Sequence, residues 1–257
     1  MNIANLLPIA ADEKVTSMIR VPEFDEEKYL VMVTKQGIIK RISLNAYNTA
    51  RKGGLIALEL NEGDELAWVR LTDGNQQVIV ATKNGLAIRF EETDVRPMGR
   101  QARGVKAISL REGDCVVGMC VVANDDLILT ASETGFGRIS NVSDYRLQSR
   151  GGKGITNYHT EKYGNVAAVS AVKLDEDIII ISQEGVIIRI AADTVRICNR
   201  PSKGVTLMRI GENDKVVTVA RAPHEDSESK KTEETSEEET SEENTAPETN
   251  AEENTEE

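Results

Sequence analysis

The sequence predicts an all-β protein, a propeller-like disc of four-stranded blades followed by an acidic tail. Four glycines recur every 50 residues, at Gly54, Gly104, Gly154 and Gly204. A second series follows apolar runs rich in Val and Ile, at Gly37, Gly85, Gly135 and Gly185. Such runs favour strands. No segment of ten residues has the apolar spacing of an amphipathic helix.

The first complete copy of the repeat predicts four strands, near residues 29–34, 38–43, 55–60 and 66–72. Short polar turns separate them, at Gln36-Gly37, Lys52-Gly54 and Gly63-Asp64. Four strands in a unit of about 50 residues fit a propeller blade better than one turn of a solenoid.

The copies divide the chain into about four and a half repeats. The complete copies are residues 25–72, 73–122, 123–172 and 173–222. Residues 1–24 match only the second half of a copy, because Asp12-Glu13-Lys14-Val15 aligns with Asn213-Asp214-Lys215-Val216. Either this half pairs with the last blade and closes the ring, or the N-terminal part of a larger protein is missing.

The formal net charge of −12 comes from the C-terminal tail. Residues 223–257 contain 15 acidic and two basic residues, and no Leu, Ile, Val, Phe, Tyr or Trp. A segment with nothing to bury is predicted to be disordered. It is either a solubilising extension or a competitor that folds back over a basic surface. Residues 1–222 carry 29 basic and 28 acidic residues.

Basic residues recur between the two glycine landmarks of each copy. The four stretches together hold 16 Lys and Arg against five acidic residues; they are residues 37–54, 85–104, 135–154 and 185–204. Because blades are related by rotation, this period predicts a basic band along the rim. Such a band suits the phosphates of a DNA duplex. An aromatic content of 4% argues against base stacking with single strands.

The candidate DNA-binding residues lie in the turns of this band. The predicted phosphate contacts are Arg51, Lys52, Arg100, Arg103, Arg150, Lys153, Arg200 and Lys203. Glycines without side-chain bulk let backbone N–H groups approach phosphates. Without a helix for the major groove, no sequence readout is expected.

Other classes of protein are disfavoured. No apolar run approaches the roughly 20 residues that span a bilayer, so no membrane association is expected. Three cysteines indicate a reducing cytosol rather than a disulfide framework. They have only His159 as a further folded ligand, so no metal site is predicted. No phosphate-binding P-loop is present, and we expect the chain to catalyse nothing by itself.

One turn reads Gln148-Ser149-Arg150-Gly151-Gly152-Lys153-Gly154. With the repeats and the acidic tail, it resembles the C-terminal domain of bacterial DNA gyrase A, over essentially the whole chain. That family's signature box reads Gln, basic, Arg, Gly, Gly, basic, Gly. Only Ser149 departs from it. The resemblance assigns Gln148, Gly151, Gly152 and Gly154 to the DNA-binding turn with Arg150 and Lys153.

The resemblance implies a six-bladed β-pinwheel, a propeller variant in which neighbouring blades exchange strands. It implies that DNA wraps around the basic rim in a right-handed sense, so that the complete enzyme, a type II topoisomerase, introduces negative supercoils. The implied partners are double-stranded DNA, gyrase B and the remainder of gyrase A. ATP, Mg²⁺ and the cleavage tyrosine belong to the complete enzyme. A cytoplasmic location and a monomeric isolated domain are also expected.

In the family, the box usually lies in the first blade. Here Asn5-Leu6-Leu7-Pro8 resembles the end of the second blade, so the first would be absent. The turn 148–154 is then either a second copy of the box or an ordinary blade turn that matches by chance. Two alternatives stay open: the equivalent domain of topoisomerase IV, which wraps less, and a propeller that serves as a protein-interaction scaffold.

Overall fold

The computed structural model describes residues 13, 15–49 and 54–224, and the all-β prediction is confirmed. Residues 225–257 of the predicted disordered tail lie outside the described residues. Within the described ranges, no helix is long and apolar enough to cross a membrane. The only α-helix there is one turn long, α1 at Thr160–Tyr163.

The described residues form 15 strands. They are β1 Tyr29–Thr34, β2 Ile38–Ser43, β3 Leu66–Thr72, β4 Gln77–Thr82, β5 Leu86–Glu91, β6 Val105–Lys106, β7 Val116–Val122, β8 Leu127–Ser132, β9 Phe136–Asn141, β10 Ile155–Thr156, β11 Val166–Val172, β12 Glu176–Ser182, β13 Ile187–Ala191, β14 Val205–Thr206 and β15 Val216–Pro223. Short 3-10 helices follow the second strand of each copy, at Leu44–Tyr47, Glu92–Asp94, Val142–Asp144 and Ala192–Thr194.

These strands form four sheets, which we call blades 1 to 4. Blade 1 has the order β3-β1-β2-β6, blade 2 β7-β4-β5-β10, blade 3 β11-β8-β9-β14 and blade 4 β15-β12-β13. The last strand of blades 1 to 3 comes from the next copy along the chain. Val105 of β6, for example, pairs with Ile39 of β2, and Val205 of β14 pairs with Gly137 of β9. Neighbouring blades therefore exchange strands, as the family resemblance implies.

The recurring glycines permit this exchange. A Cβ atom at Gly154 would lie 2.5 Å from the carbonyl oxygen of Ala87, and one at Gly204 would lie 1.9 Å from that of Gly137. Both glycines also have a positive φ. Only glycine fits at these points, because the exchanged strand meets the backbone of the preceding blade.

The strand predicted at 55–60 is wrong. The structure describes these residues, and they form no strand, whereas the other three predicted strands of the first copy are β1, β2 and β3. The equivalent segments β6, β10 and β14 are strands because the preceding blade supplies a partner. Among the described residues no blade precedes blade 1, so the segment at 55–60 has no strand to pair with.

The hydrophobic core lies between neighbouring blades. Successive side chains of a strand point to opposite faces, so each central strand packs on both sides. In β4, Val78 and Val80 share a cluster with Val31 of blade 1. Ile79 packs instead with Ile128 of blade 3. Burial of each such side chain contributes about 1.5–3 kcal/mol, and each blade is therefore stabilised by its neighbours.

The strands β3, β7, β11 and β15 lie at the inner edges of the blades. A Cβ atom at Gly118 of β7 would lie 2.6 Å from the carbonyl oxygen of Val169 in β11. Residues of all four strands line one cavity, including Arg70, Cys120 and Arg221. The exchanged strands therefore lie at the outer edges.

Three aspartates stabilise the hairpin turns of three blades, and they are Asp64, Asp114 and Asp214. Each Oδ1 atom accepts a hydrogen bond from a backbone N–H of the hairpin turn in its own blade. For Asp64 this donor is Gln36, at 2.9 Å. Blade 3 has Asn165 instead, whose Nδ2 donates to Glu133 at 3.2 Å.

Candidate nucleic-acid interface

The basic band divides into an inner and an outer set of cations. Of the 16 basic residues in the four stretches, Arg51 and Lys52 lie outside the described residues. Four of the other 14 are buried; they are Lys40, Arg41, Arg89 and Arg138. The surface that can meet a polyanion is therefore smaller than the sequence charge predicts.

Two of the buried cations, Lys40 and Arg138, occupy the third position after the turn glycines Gly37 and Gly135, and both donate to a backbone carbonyl oxygen. Nζ of Lys40 donates to the carbonyl oxygen of Ala57 at 2.7 Å, and Nη2 of Arg138 donates to that of Asn157 at 2.6 Å. Burial lowers the pKa of both side chains. Asn157 lies just beyond the exchanged strand β10, and Ala57 occupies the equivalent position of the first copy. Nζ of Lys40 also donates to the carbonyl oxygen of Arg100 in the next copy. The two cations therefore hold these segments against their own copies, and Lys40 also binds the next copy.

Other cations occupy the fourth position after the turn glycine and face the protein too. Nη1 of Arg89 donates to the carbonyl oxygens of Val142 and Tyr145, at 2.9 and 3.0 Å. It thereby ties blade 2 to the loop that leaves blade 3. Arg189 pairs with Asp177 at 2.6 Å. These guanidinium groups serve the fold.

The remaining nine cations lie in three loops, which we call the basic loops: residues 95–104, 145–154 and 195–204. Each basic loop leaves the second strand of one blade and ends at the strand donated to the preceding blade. It also forms a parallel bridge with that preceding blade, as between Leu147 and Arg89. The basic loops therefore run along the outer edge, across the seams between blades.

The signature turn Gln148–Gly154 lies in the second basic loop, where hydrogen bonds to the neighbouring blade hold it. The N–H of Gln148 donates to the carbonyl oxygen of Arg89 at 2.9 Å. The N–H of Gly151 donates to that of Ala107 at 2.6 Å, and the N–H of Ser109 donates to that of Gly152 at 2.8 Å. The N–H groups of Gln148 and Gly151 are thus used inside the protein rather than offered to phosphate.

Arg150 forms hydrogen bonds to the preceding copy of the repeat, and we call an arginine with such contacts a latch. Its Nε donates to the carbonyl oxygen of Asp94 at 2.9 Å, and its Nη1 donates to that of Lys106 at 3.2 Å. The side chain is only partly exposed. Arg150 therefore spans the seam between its own loop and the copy before it.

The same latch recurs 50 residues later at Arg200. Its Nε donates to the carbonyl oxygen of Asp144 at 2.8 Å, and its Nη1 donates to that of Thr156. The guanidinium also lies over the ring of Tyr145, with Cζ 5.2 Å from the ring centre. Repetition of these contacts shows that Arg150 and Arg200 position the loops that carry them.

The other predicted contacts differ in their surroundings. Lys153 is exposed, and Arg100 is partly exposed. Arg103 forms an exposed ion pair with Glu59 at 2.7 Å, and its hydrogen bond lowers the pKa of that carboxyl. Nζ of Lys203 lies over the ring of Phe136, 3.6 Å from its centre.

Sequence reasoning missed three further cations, Arg96, Arg146 and Arg196. They recur every 50 residues, at the start of each basic loop, and all three are exposed. None of the three guanidinium groups has a hydrogen bond or ion pair to another described residue, so they can bind an external anion. Their spacing alone could have identified them, because it equals that of the glycines.

Each basic loop therefore presents the same pattern: an outward arginine, a second arginine four residues later and a third cation seven residues later. The nine residues are Arg96, Arg100, Arg103, Arg146, Arg150, Lys153, Arg196, Arg200 and Lys203. The structure brings the predicted residues of each loop together and repeats the group at successive seams. Regularly repeated cations on fixed loops can neutralise successive phosphates of a duplex.

Comparison with known proteins finds the same architecture. The chain matches the family described as DNA gyrase C-terminal domain, beta-propeller, in four segments: residues 28–73, 76–122, 126–173 and 176–223. DNA gyrase A of Clostridium acetobutylicum is 53% identical over 105 residues, which are 41% of this chain and 13% of that protein. DNA gyrase A of Halalkalibacterium halodurans is 55% identical over 104 residues, 40% of this chain and 12% of that protein.

Two solved structures have a similar fold. The crystal structure of the C-terminal domain of DNA topoisomerase IV matches with a TM-score of 0.82 and 26% identity, over 93% of this chain and 75% of that one. The structure of the DNA gyrase A C-terminal domain matches with a TM-score of 0.76 and 28% identity, over 86% and 75%. The match to the curated relatives spans about an eighth of their length.

Proposed function

Because this chain belongs to the family of DNA gyrase C-terminal β-propeller domains, we propose that it binds double-stranded DNA and wraps it along its basic loops. The observation that carries the proposal is the set Arg96, Arg146 and Arg196. These three guanidinium groups repeat with the blades, face solvent and have no partner among the described residues. Exposed cations with no internal partner are available to phosphate.

The mechanism is phosphate neutralisation along a fixed path. Binding displaces counterions from DNA and depends on charge rather than on base sequence. The latches Arg150 and Arg200 hold the second and third basic loops against the preceding copy of the repeat. A duplex that contacts successive loops must follow the curvature of the blades. Smooth bending of 20–30 base pairs by 40–90° costs about 1–6 kcal/mol, which the phosphate contacts offset.

In this proposal, the chain acts within a complete enzyme whose other parts supply DNA cleavage and the use of ATP. The partners are gyrase B and the remainder of gyrase A, which cleave DNA and use ATP and Mg²⁺. The chain itself catalyses no reaction, needs no cofactor of its own and acts in the cytoplasm. Wrapping in a right-handed sense would present one DNA segment to another and bias strand passage toward negative supercoils.

Ligation of a nicked plasmid in the presence of the chain tests the proposal. After sealing and removal of protein, the linking number reports any wrap that was trapped. We expect a positive shift, and we expect the triple variant with Arg96→Gln, Arg146→Gln and Arg196→Gln to lose it. The absence of a shift with the unaltered chain would refute wrapping by this chain.

A second triple variant controls for charge alone. Arg70, Arg111 and Arg209 are also exposed but lie outside the basic loops. Replacement of these three with Gln removes the same charge, and we expect it to leave the shift largely intact. Equal loss in both triple variants would mean that net charge, rather than the basic loops, determines binding.

The higher TM-score to the topoisomerase IV domain favours a second candidate. A domain of that kind would bind DNA with little wrapping. Sequence identity of 53% and 55% to the gyrase A relatives favours the first. The ligation assay separates them: tight binding with no change in linking number would support the topoisomerase IV candidate.

A further inference from the structure

Each basic loop has an apolar residue directly after its outward arginine. The three residues are Pro97, Leu147 and Ile197, which follow Arg96, Arg146 and Arg196. All three are exposed, and the exposed fractions of Leu147 and Ile197 are 49% and 43%. A single exposed apolar side chain is ordinary on a protein surface. Recurrence at the same position of three successive loops indicates a shared role.

Hydrogen bonds fix the backbone at these three positions. The N–H of Gln148 donates to the carbonyl oxygen of Arg89 at 2.9 Å, and the N–H of Cys198 donates to that of Ile139 at 2.8 Å. The N–H of Met98 makes the same contact in the first basic loop, at 2.9 Å. Each contact accompanies a parallel bridge to the preceding blade. The apolar side chains therefore extend from a backbone that is already ordered, so that binding costs little conformational entropy.

Positive charge surrounds these apolar residues. Arg146 and Arg196 have no hydrogen bond or ion pair to another described residue, and Lys153 is exposed in the second basic loop. A partner that satisfies both kinds of side chain must offer negative charge and an apolar surface side by side. Duplex DNA does so in its grooves, where deoxyribose rings and base steps lie between the phosphates of the two strands.

The minor groove suits a basic loop better than the major groove does. The major groove is about 12 Å wide and admits a helix or a two-stranded ribbon, whereas the minor groove is about 6 Å wide. At Pro97, Leu147 and Ile197 the described backbone is a single chain segment and forms neither a helix nor a hairpin. Proteins that bind the minor groove contact it with Arg and insert Pro, Leu or Ile between base steps. The basic loops have these residue types next to one another.

We propose that Pro97, Leu147 and Ile197 enter the minor groove of the bound duplex and act as wedges, which partly unstack a base step. The inference rests on the proposed function, since it requires that the basic loops contact DNA. Bending is then concentrated at one step for each loop instead of being spread smoothly along the duplex. Pyrimidine–purine steps such as TA unstack most readily. Binding therefore acquires a preference among base steps that neutralisation of phosphates alone does not give.

The double variant with Leu147→Ser and Ile197→Ser separates wedging from phosphate neutralisation. It changes no charge, so the slope of log affinity against log salt should stay that of the unaltered chain. Loss of the apolar contacts should weaken binding by roughly tenfold at every salt concentration. Met at both positions keeps an apolar side chain of a type that wedges base steps, so that variant should bind nearly as the unaltered chain does.

A second double variant controls for the loss of apolar surface in general. Leu174 and Val217 are 44% and 50% exposed and lie outside the basic loops. Replacement of both with Ser should leave DNA affinity unchanged. Equal weakening in both Ser variants would overturn the assignment to Leu147 and Ile197.

Fluorescence of 2-aminopurine placed in a TA step reports unstacking, because it rises when the base loses contact with its neighbours. One duplex has a TA step every ten base pairs, roughly the interval at which the minor groove of wrapped DNA faces the protein. A second duplex has the same base composition and no TA step. We expect the unaltered chain to bind the first duplex more tightly and to raise its fluorescence. The Leu147 and Ile197 double Ser variant should bind the two duplexes equally and leave the fluorescence low.

Two results would overturn the wedges while leaving the proposed function intact. The first is salt-dependent binding that has the same strength in the Leu147 and Ile197 double Ser variant as in the unaltered chain. The second is binding by the unaltered chain with no rise in 2-aminopurine fluorescence. An unaltered chain that shows no salt-dependent affinity for either duplex would instead refute the proposed function, and the wedges with it.

Discussion

Replacement of Arg96, Arg146 and Arg196 with Gln gives the sharpest test of the interface. These side chains are exposed and contact no described residue through a hydrogen bond or ion pair. Their loss should leave the free energy of unfolding nearly unchanged, as for most surface substitutions. Any change in DNA binding then reflects the missing phosphate contacts.

The magnitude follows from counting contacts. Each neutralised phosphate of B-DNA contributes about 0.9 to the slope of log affinity against log salt. If each of the three arginines neutralises one phosphate, the slope should become shallower by about 2.7. On the same relation, the DNA affinities of the unaltered chain and of the triple variant should converge near 1 M salt and differ by about 500-fold near 0.1 M salt.

Fluorescence anisotropy with a labelled duplex at several salt concentrations measures both quantities. The control is the variant in which Arg70, Arg111 and Arg209 are replaced with Gln, because it has the same net charge. We expect the slope of the control to stay close to that of the unaltered chain. An unchanged slope in the Arg96, Arg146 and Arg196 variant would refute the assignment of these residues to phosphate contacts.

Three further outcomes follow from the fold. Gly204→Ala should destabilise the protein by roughly 1–3 kcal/mol more than Gly113→Ala in chemical denaturation, because both have positive φ but only Gly204 meets backbone. Hydrogen bonds, first from Ser182 and then from backbone N–H groups, lower the pKa of Asp214. Its stabilisation is therefore present above the ordinary Asp pKa and lost as the pH falls through the lowered pKa, so Asp214→Asn should flatten the pH dependence of the melting temperature below about pH 4. The double variant with Arg150→Lys and Arg200→Lys keeps the charge but cannot bind two carbonyl oxygens as arginine does. Its DNA affinity in the anisotropy assay should therefore fall little, while the linking-number shift decreases. Equal loss of affinity and of the shift would contradict the role of these arginines as latches.

Much of the fold can be predicted from the sequence because strand exchange imposes a strict local requirement. Gly154 and Gly204 must lack a Cβ atom, since the exchanged strand meets the backbone of the preceding blade. This requirement recurs once per blade and therefore appears as a period. The strands themselves are visible because their side chains are buried on both faces, as Val78 and Ile79 show.

The error at residues 55–60 has a different origin. A two-residue strand such as β10 exists only through its partner, and that partner lies about 70 residues earlier in the chain, as between Ile155 and Ala87. Local sequence cannot report whether a partner is present. The segment at 55–60 has the same pattern, but the described residues offer it no acceptor edge.

The candidate site was predictable as a region, but the role of each cation was not. Charge counting treats Lys40, Arg138 and Arg96 alike, although two are buried and one is exposed. What separates them is the position relative to the turn glycine, which decides whether a side chain faces a neighbouring copy or solvent. Arg150 shows a further limit, because its backbone partners, Asp94 and Lys106, lie in the previous copy.

The two sets of cations together link the shape of the protein to the path of the DNA. Of the buried set, Lys40, Arg89 and Arg138 bind backbone carbonyls at the seams, as the latches do, so they fix the angle between neighbouring blades. The exposed set lies on loops whose positions depend on that angle. The curvature of DNA that contacts Arg96, Arg146 and Arg196 in turn is therefore determined by hydrogen bonds inside the protein, which the DNA does not contact. Affinity and curvature are then separable properties, the first set by exposed charge and the second by internal carbonyl contacts.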